Sequence, residues 1–251
     1  MKILVIGGMH GNEPLGLSVV QLFKKNPVKD IVVVLANERA IAGNCRFTET
    51  DLNRSFPGDE TSKVYEQRRA AKLLELTRQY DIVLDFHNTY CPGNDCGFVG
   101  ETAGRQLFDV AGELGLRRII VADYDCINKY APNCLSVEIS LDSPLNKPGL
   151  WYLRIKSLSE LKDVNTSRTI EKYRFAYRIT LEDRDKYQLA LKELRAFEAL
   201  DDVLAEEMGV ESPAYPIFVN DKFTPHNYGG LLNKINLSYN GENHGNIDTT
   251  I

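Results

Sequence analysis

Four short segments of this 251-residue chain carry residue types that could act together around a metal ion. The first is His10-Gly11-Asn12-Glu13. A histidine and a glutamate three residues apart can place a ring nitrogen and a carboxylate oxygen on one ion. Catalytic zinc takes three protein ligands and leaves a position for water, and His/Glu/His is an established set. His87 is the natural third ligand, because two of the four histidines, His226 and His244, fall in a loop and in a polar tail. Alone, His-x-x-Glu describes a surface pair in most proteins, and His87 alone reads equally as a structural histidine at a strand end.

The second segment is Asp51-Leu52-Asn53-Arg54, with Arg46 shortly before it. A guanidinium fork binds a carboxylate through two hydrogen bonds, and an asparagine amide adds a directed donor. From the bare spacing, a surface loop with two solvated arginines is the favoured reading. The third segment is Asp85-Phe86-His87-Asn88. On a strand, Asp85 and His87 share a face, so Asp85 can orient the histidine through its second nitrogen or serve only as a sheet-end hydrogen bond. The fourth is Val137-Glu138-Ile139. A carboxylate in an apolar strand is costly unless paired or functional, and burial raises its pKa, which suits a general base.

The elements that must position these residues follow from the hydrophobic pattern. Residues 2–6 form a buried strand closed by Gly7-Gly8. Pro14 opens a helix as its first residue, with Leu15, Val19, Leu22 and Phe23 at helical spacing. Residues 31–35 are a strand. Residues 62–80 are a helix with Ser62 as N-cap, and residues 81–86 are a strand that runs into His87. A short strand at 97–99, a helix over 103–114 and strands over 118–122 and 134–139 follow. This order predicts an α/β fold, a mixed and mainly parallel sheet flanked by helices. Ligands on such sheets bind at the carboxyl ends of the strands, where His10, His87 and Glu138 fall. Beyond Asp142 the pattern predicts a loop at 143–149, a strand over 171–180, a long amphipathic helix over 185–208, a short strand over 214–220 and a fraying tail after Tyr239. The expected division is a catalytic core over 1–145 and a region over 146–251 that completes the core and adds a small appendage.

The net charge is −5 and no run of Lys and Arg stands out, which excludes a nucleic-acid binder. The apolar run over residues 3–6 is too short for a signal peptide. No stretch approaches the roughly 20 apolar residues of a spanning helix. The expected location is the cytoplasm, with no membrane partner. Five cysteines, none in a Cys-x-x-Cys pair, read as free thiols of a reducing compartment. Cys91 and Cys96 are near enough in sequence to invite a disulfide or metal reading.

Taken together, the four segments resemble the succinylglutamate desuccinylase/aspartoacylase family, a branch of the zinc carboxypeptidase superfamily. Gly8-Met9-His10-Gly11-Asn12-Glu13, Asp51-Leu52-Asn53-Arg54, Asp85-Phe86-His87-Asn88-Thr89 and Val137-Glu138-Ile139 occur in the family's order at about its spacing. Asn37-Glu38-Arg39-Ala40 and Tyr215-Pro216-Ile217-Phe218-Val219-Asn220 add to the likeness. It covers residues 3–145 well and the remainder weakly. The resemblance implies a zinc carboxypeptidase-like fold and one zinc per chain held by His10, Glu13 and His87. It implies that Arg46 polarises the scissile carbonyl and that Asn53 and Arg54 grip the substrate α-carboxylate. Glu138 is then the base that takes a proton from water and hands it to the leaving amine. The implied reaction is hydrolysis of the amide bond of a small N-acylated amino acid. The alternatives are a carboxypeptidase acting on peptide C-termini and a zinc-binding protein without turnover.

There are departures. Aspartoacylase-like members hold a second substrate carboxylate with an arginine ahead of the base and with a tyrosine and a lysine near the C-terminus. Here Asn128, with Lys129 beside it, stands at the first place. Thr224-Pro225-His226, with Lys222 and Tyr228, surrounds the second. The altered pocket implies that N-acetylaspartate is a poor substrate.

Overall fold

The structure is a computed structural model of the chain and describes residues 1–219 and 229–236. Its elements run in the order β1 (Ile3–Gly7), α1 (Pro14–Lys25), β2 (Ile31–Leu35), α2 (Glu38–Ala42), α3 (Tyr65–Thr77), β3 (Ile82–Thr89), β4 (Cys96–Gly100), α4 (Arg105–Glu113), β5 (Arg118–Ala122), α5 (Ile127–Tyr130) and β6 (Cys134–Ser140). Then come α6 (Pro148–Glu160), β7 (Glu171–Arg178), α7 (Leu181–Lys186), α8 (Gln188–Glu193), α9 (Asp202–Glu207), β8 (Ala214–Ile217) and β9 (Gly230–Lys234). One turn of 3-10 helix, Leu52–Arg54, lies between α2 and α3.

Among the described residues, nine strands form one sheet in the order β2-β1-β3-β6-β4-β5-β7-β9-β8. Pairing is parallel from β2 through β1 and β3 to β6, and again from β4 through β5 to β7. It is antiparallel between β4 and β6, between β7 and β9 and between β8 and β9. The expected mixed, mainly parallel sheet is therefore present, and β7 carries it past residue 145 by pairing with β5. No helix among the described residues is long and apolar enough to cross a membrane.

Side chains alternate across a strand, and this alternation divides the sheet into two functions. On one face Ile3, Val5, Leu84, Phe86, Val137 and Ile139 pack in a core with α1, α4 and α6, supplied by residues such as Val19, Phe108 and Trp151. On the other face Leu4, Ile6 and Val83 pack against Leu73 and Leu74 of α3 and Ile127 of α5. Farther along that face Cys96, Phe98 and Tyr173 meet Phe197 and Ile217. Asp85, His87, Ser136 and Glu138 belong by alternation to this second face, where the helical cover is interrupted.

The predicted helix over 185–208 is not formed. A capping box between Thr180 and Asp183 starts α7 earlier, α8 ends at Glu193, and Asp201 caps α9 by accepting from Val203 N and Leu204 N. Between α8 and α9 the chain binds β8 instead: Phe197 N donates to Pro216 O and Leu200 N to Ala214 O. Phe197, at φ 61°, buries its ring against Tyr173. Burying that ring and pairing those amides outweighs the helical periodicity. Helix α3 begins at Tyr65 rather than Ser62, whose hydroxyl accepts from Val64 N and so forms a turn ahead of the helix. Helix α6, opened by Pro148 at its first turn, was not expected from the sequence. All five cysteines are free. The strand expected over 214–220 ends at Ile217, before Phe218 at φ 53°. Asn220, Lys222, Thr224, Pro225, His226, Tyr228, the tail after Tyr239 and His244 lie outside the described residues.

Candidate metal centre and substrate pocket

The loop after β1 turns sharply because Gly8 takes a positive φ of 73°. Gly11 lets it approach α2 so closely that a Cβ there would lie 2.1 Å from the carbonyl carbon of Ala40. These two glycines set His10 and Glu13 under the end of the sheet. Glu13 is the N-cap residue of α1, but its side chain makes no cap hydrogen bond and points to the centre instead. The exposed amide that it leaves is served by Asn88, whose Oδ1 accepts from Leu15 N at 2.8 Å. Asn88 Nδ2 also donates to Ile139 O. The asparagine after His87 thus ties β3, β6 and α1 together.

His10, Glu13 and His87 are all buried, and each offers a ligand atom within 4.8 Å of the others. His10 Nδ1 lies 2.7 Å from Glu13 Oε1, and His87 Nδ1 lies 3.1 Å from Glu13 Oε2. The other nitrogen of each ring meets a second carboxylate. His10 Nε2 is 3.1 Å from Asp51 Oδ1, and His87 Nε2 is 2.8 Å from Asp85 Oδ2. An ionised carboxylate only accepts, so Asp51 and Asp85 fix a proton on Nε2 of their rings, while Nδ1 of each ring faces Glu13 at the centre. That is how metal-binding histidines are oriented by outer partners, and the three side chains could hold a metal ion. The same contacts set the charges of these groups. Burial opposes the charged form of Glu13, yet His10 and His87 hold it well below the usual carboxylate range. Burial likewise opposes a charged His87, but Asp85 and Glu13 raise it well above its ordinary value.

Asp51 was not singled out from the sequence, because its partner His10 is 41 residues away. It joins three parts of the site. Its Oδ1 also accepts from Asn53 N at 2.9 Å, which caps the turn bearing Asn53 and Arg54. Its Oδ2 accepts from Arg46 Nε at 3.2 Å and Nη2 at 3.1 Å. Burial works against its charge, but His10, Arg46 and Arg54 hold its pKa well below normal. Asp51→Ala is expected to weaken metal binding about 10- to 100-fold, as loss of an outer partner usually does. Competition against a chelator of known affinity measures it, and unchanged affinity would remove Asp51 from this role. The loop itself is fixed by Glu66, fully buried on α3. Its Oε1 accepts from Thr48 N at 2.9 Å and Thr48 Oγ1 at 2.6 Å.

All seven residues singled out from the sequence line one pocket: His10, Glu13, His87, Arg46, Asn53, Arg54 and Glu138. Glu138 is the partner of His87 in the parallel β3–β6 ladder, so the two side chains stand side by side. Arg46 Nη1 lies 3.8 Å from Glu13 Oε1. Asn53 Oδ1 accepts weakly from Ile127 N at 3.4 Å, which leaves its amide donors to the pocket. Asn128 also lines the pocket, but its Nδ2 donates to Phe98 O and Cys134 O and its Oδ1 accepts from Ser136 Oγ. That amide is committed to the fold. Lys129 is tied to Asp125 on the exposed side of α5. Tyr124, Phe175 and Arg178, which the sequence reading did not single out, contribute a further wall.

Residues 1–99 match the family model of the succinylglutamate desuccinylase/aspartoacylase catalytic domain. The chain is 35% identical over 107 residues to the N-acyl-aromatic-L-amino acid amidohydrolase (carboxylate-forming) of Mus musculus, covering 36% of this chain and 34% of that protein. It is 34% identical over 106 residues to aspartoacylase of the same species, covering 35% and 34%. The matched part spans about a third of the length of these relatives. The fold extends further. Succinylglutamate desuccinylase from Chromobacterium violaceum superposes with a TM-score of 0.71 at 17% identity, over 94% of this chain and 85% of that one. Murine aminoacylase 3 gives 0.66 at 20% identity, over 94% and 95%.

Proposed function

We propose that this chain, whose residues 1–99 match the succinylglutamate desuccinylase/aspartoacylase catalytic-domain model, is a member of that family and hydrolyses the amide bond of N-acylated amino acids with one zinc ion held by His10, Glu13 and His87. The observation that carries the reading is the meeting of three ligand atoms within 4.8 Å in a pocket that also holds Arg46, Asn53, Arg54 and Glu138. On this reading the described residues beyond 145 complete the core through β7 and add a small appendage around the cluster of Tyr187, Leu191, Met208 and Val210.

When bound, zinc supplies Lewis acidity that makes water nucleophilic near neutral pH. The remaining steps belong to side chains. Glu138, beside His87, accepts the proton of the attacking water and returns it to the leaving nitrogen. Arg46, held edge-on by Asp51, donates to the carbonyl oxygen as negative charge builds there. Because Asp51 fixes its guanidinium in advance, little reorganisation is needed at that moment. Asn53 and Arg54 receive the α-carboxylate through charge-assisted hydrogen bonds.

The test is a substrate series on zinc-loaded protein that reads free amine. Amidating the α-carboxylate of a good substrate is expected to lower kcat/KM about 10- to 100-fold, the scale of lost hydrogen bonds to a charged group. Equal turnover of acid and amide would refute the roles of Asn53 and Arg54. Blocked dipeptides belong in the same series, since faster cleavage of these than of N-acyl amino acids would mark a carboxypeptidase.

A further inference from the structure

Resting on the hydrolase reading above, we propose that Arg178 determines specificity by receiving a second carboxylate of the substrate. The described lining of the pocket presents three guanidinium groups, Arg46, Arg54 and Arg178, against two carboxylates, Glu13 and Glu138. Arg46 is committed to Asp51, and Glu13 to the two histidines. With a substrate α-carboxylate at Asn53 and Arg54, Arg178 is, among the described lining residues, the guanidinium whose carboxylate partner, Asp123, is itself largely open to solvent. The amide of Asn128 is spent on Phe98, Cys134 and Ser136. Arg178 reaches the pocket from β7 instead.

The guanidinium of Arg178 is held in place. Its Cζ lies 3.8 Å from the ring centroid of Phe175 and 5.0 Å from that of Tyr124. Stacking on rings occupies the faces of the group and leaves its in-plane N–H donors available. One of them meets Asp123 Oδ1 at 2.8 Å, in a pair whose side chains are 44% and 43% exposed. A pair so exposed holds its members weakly, and a guanidinium has four more donors for an incoming carboxylate. Tyr124 also carries Arg54, whose Cζ is 4.5 Å from the same ring. One phenol ring therefore supports both anion receptors and sets the span between them. Burial pushes the Tyr124 hydroxyl up, so it stays neutral and cancels neither cation.

The second carboxylate can come from the amino acid side chain or from the far end of the acyl group, and matched pairs separate these sources. N-acetyl-L-aspartate is compared with N-acetyl-L-asparagine, and N-succinyl-L-leucine with N-butanoyl-L-leucine, on zinc-loaded protein. In at least one pair the dianion is expected to lead in kcat/KM by about tenfold or more, the scale of a charged hydrogen bond. Arg178→Gln and Arg178→Met should bring that ratio close to one, and Arg178→Lys should restore part of it. A merely structural role would instead lower both members of a pair alike and leave the ratio standing. The proposal is overturned if neither pair shows a preference, if the ratio survives in the Arg178 variants, or if N-acetyl-L-phenylalanine outpaces both dianions. Turnover of none of these substrates would instead remove the hydrolase reading, and this proposal with it.

Discussion

Replacing Glu138 by glutamine is expected to keep the fold and the bound metal while lowering kcat by about two to four orders of magnitude, the usual range for loss of a general acid–base. Glutamine has nearly the same shape and can still hydrogen-bond, but it cannot take a proton from water. The backbone of residue 138 is held on both sides, by His87 in the β3 ladder and by Cys96 in β4, so the exchange leaves its position unchanged. The buried thiol of Cys96 is pushed up chiefly by desolvation and then by the charge of Glu138. The thiol is therefore neutral, and a neutral side chain at 138 disturbs no ion pair with it. Single-turnover kinetics and metal analysis of the same preparation decide the matter. Near-normal turnover with one zinc per chain would take the base role away from Glu138.

Replacing His87 by alanine is expected to remove most of the bound zinc, because a three-ligand site reduced to two no longer competes with water and buffer. The substitution also leaves Asp85, which is fully buried, without the ring nitrogen at 2.8 Å that balances it. An uncompensated buried charge is destabilising, so some fall in melting temperature accompanies the loss. Elemental analysis should be read beside circular dichroism. A variant that is folded but depleted of zinc supports the ligand assignment, and one that keeps stoichiometric zinc refutes it.

The part of the site built by strands was legible because buried parallel strands read as apolar runs, and a lone acid or histidine in such a run stands out. Asp85, His87 and Glu138 are of this kind; the period of two places Asp85 and His87 on one face of their strand, and the β3–β6 register brings Glu138 beside His87. Arg178 is different. β7 is half-buried or exposed along its length apart from Tyr173, and Arg178 sits at its exposed end, so this arginine resembles any solvated one. It enters the pocket only because β7 joins β5 in parallel, a pairing that local pattern does not specify. Asp51 and Glu66 were missed for a related reason. Each acts through a partner in a different element, His10 for one and Thr48 for the other. The helix over 185–208 failed in the opposite direction. Its periodicity is real, but the amides of Phe197 and Leu200 find better partners on β8.

The strand order has a consequence for how the chain comes together. β3 has β1 on one side and β6 on the other, although β4, α4, β5 and α5 all intervene in sequence. Asp85 and Ser136, neighbours in that ladder, are 51 residues apart. As the polypeptide emerges during synthesis, the three side chains proposed to hold the ion are available once β3 is complete, whereas β3 keeps an open hydrogen-bonding edge until β6 arrives. An unpaired apolar strand edge invites association with other chains, and pairings so distant in sequence form slowly. On the proposed assignment, the nascent protein thus passes through a stage in which the three ligand side chains are in place but Glu138 is not yet beside them. During that stage, sealing the edge of β3 protects against aggregation as much as it completes the catalytic pair.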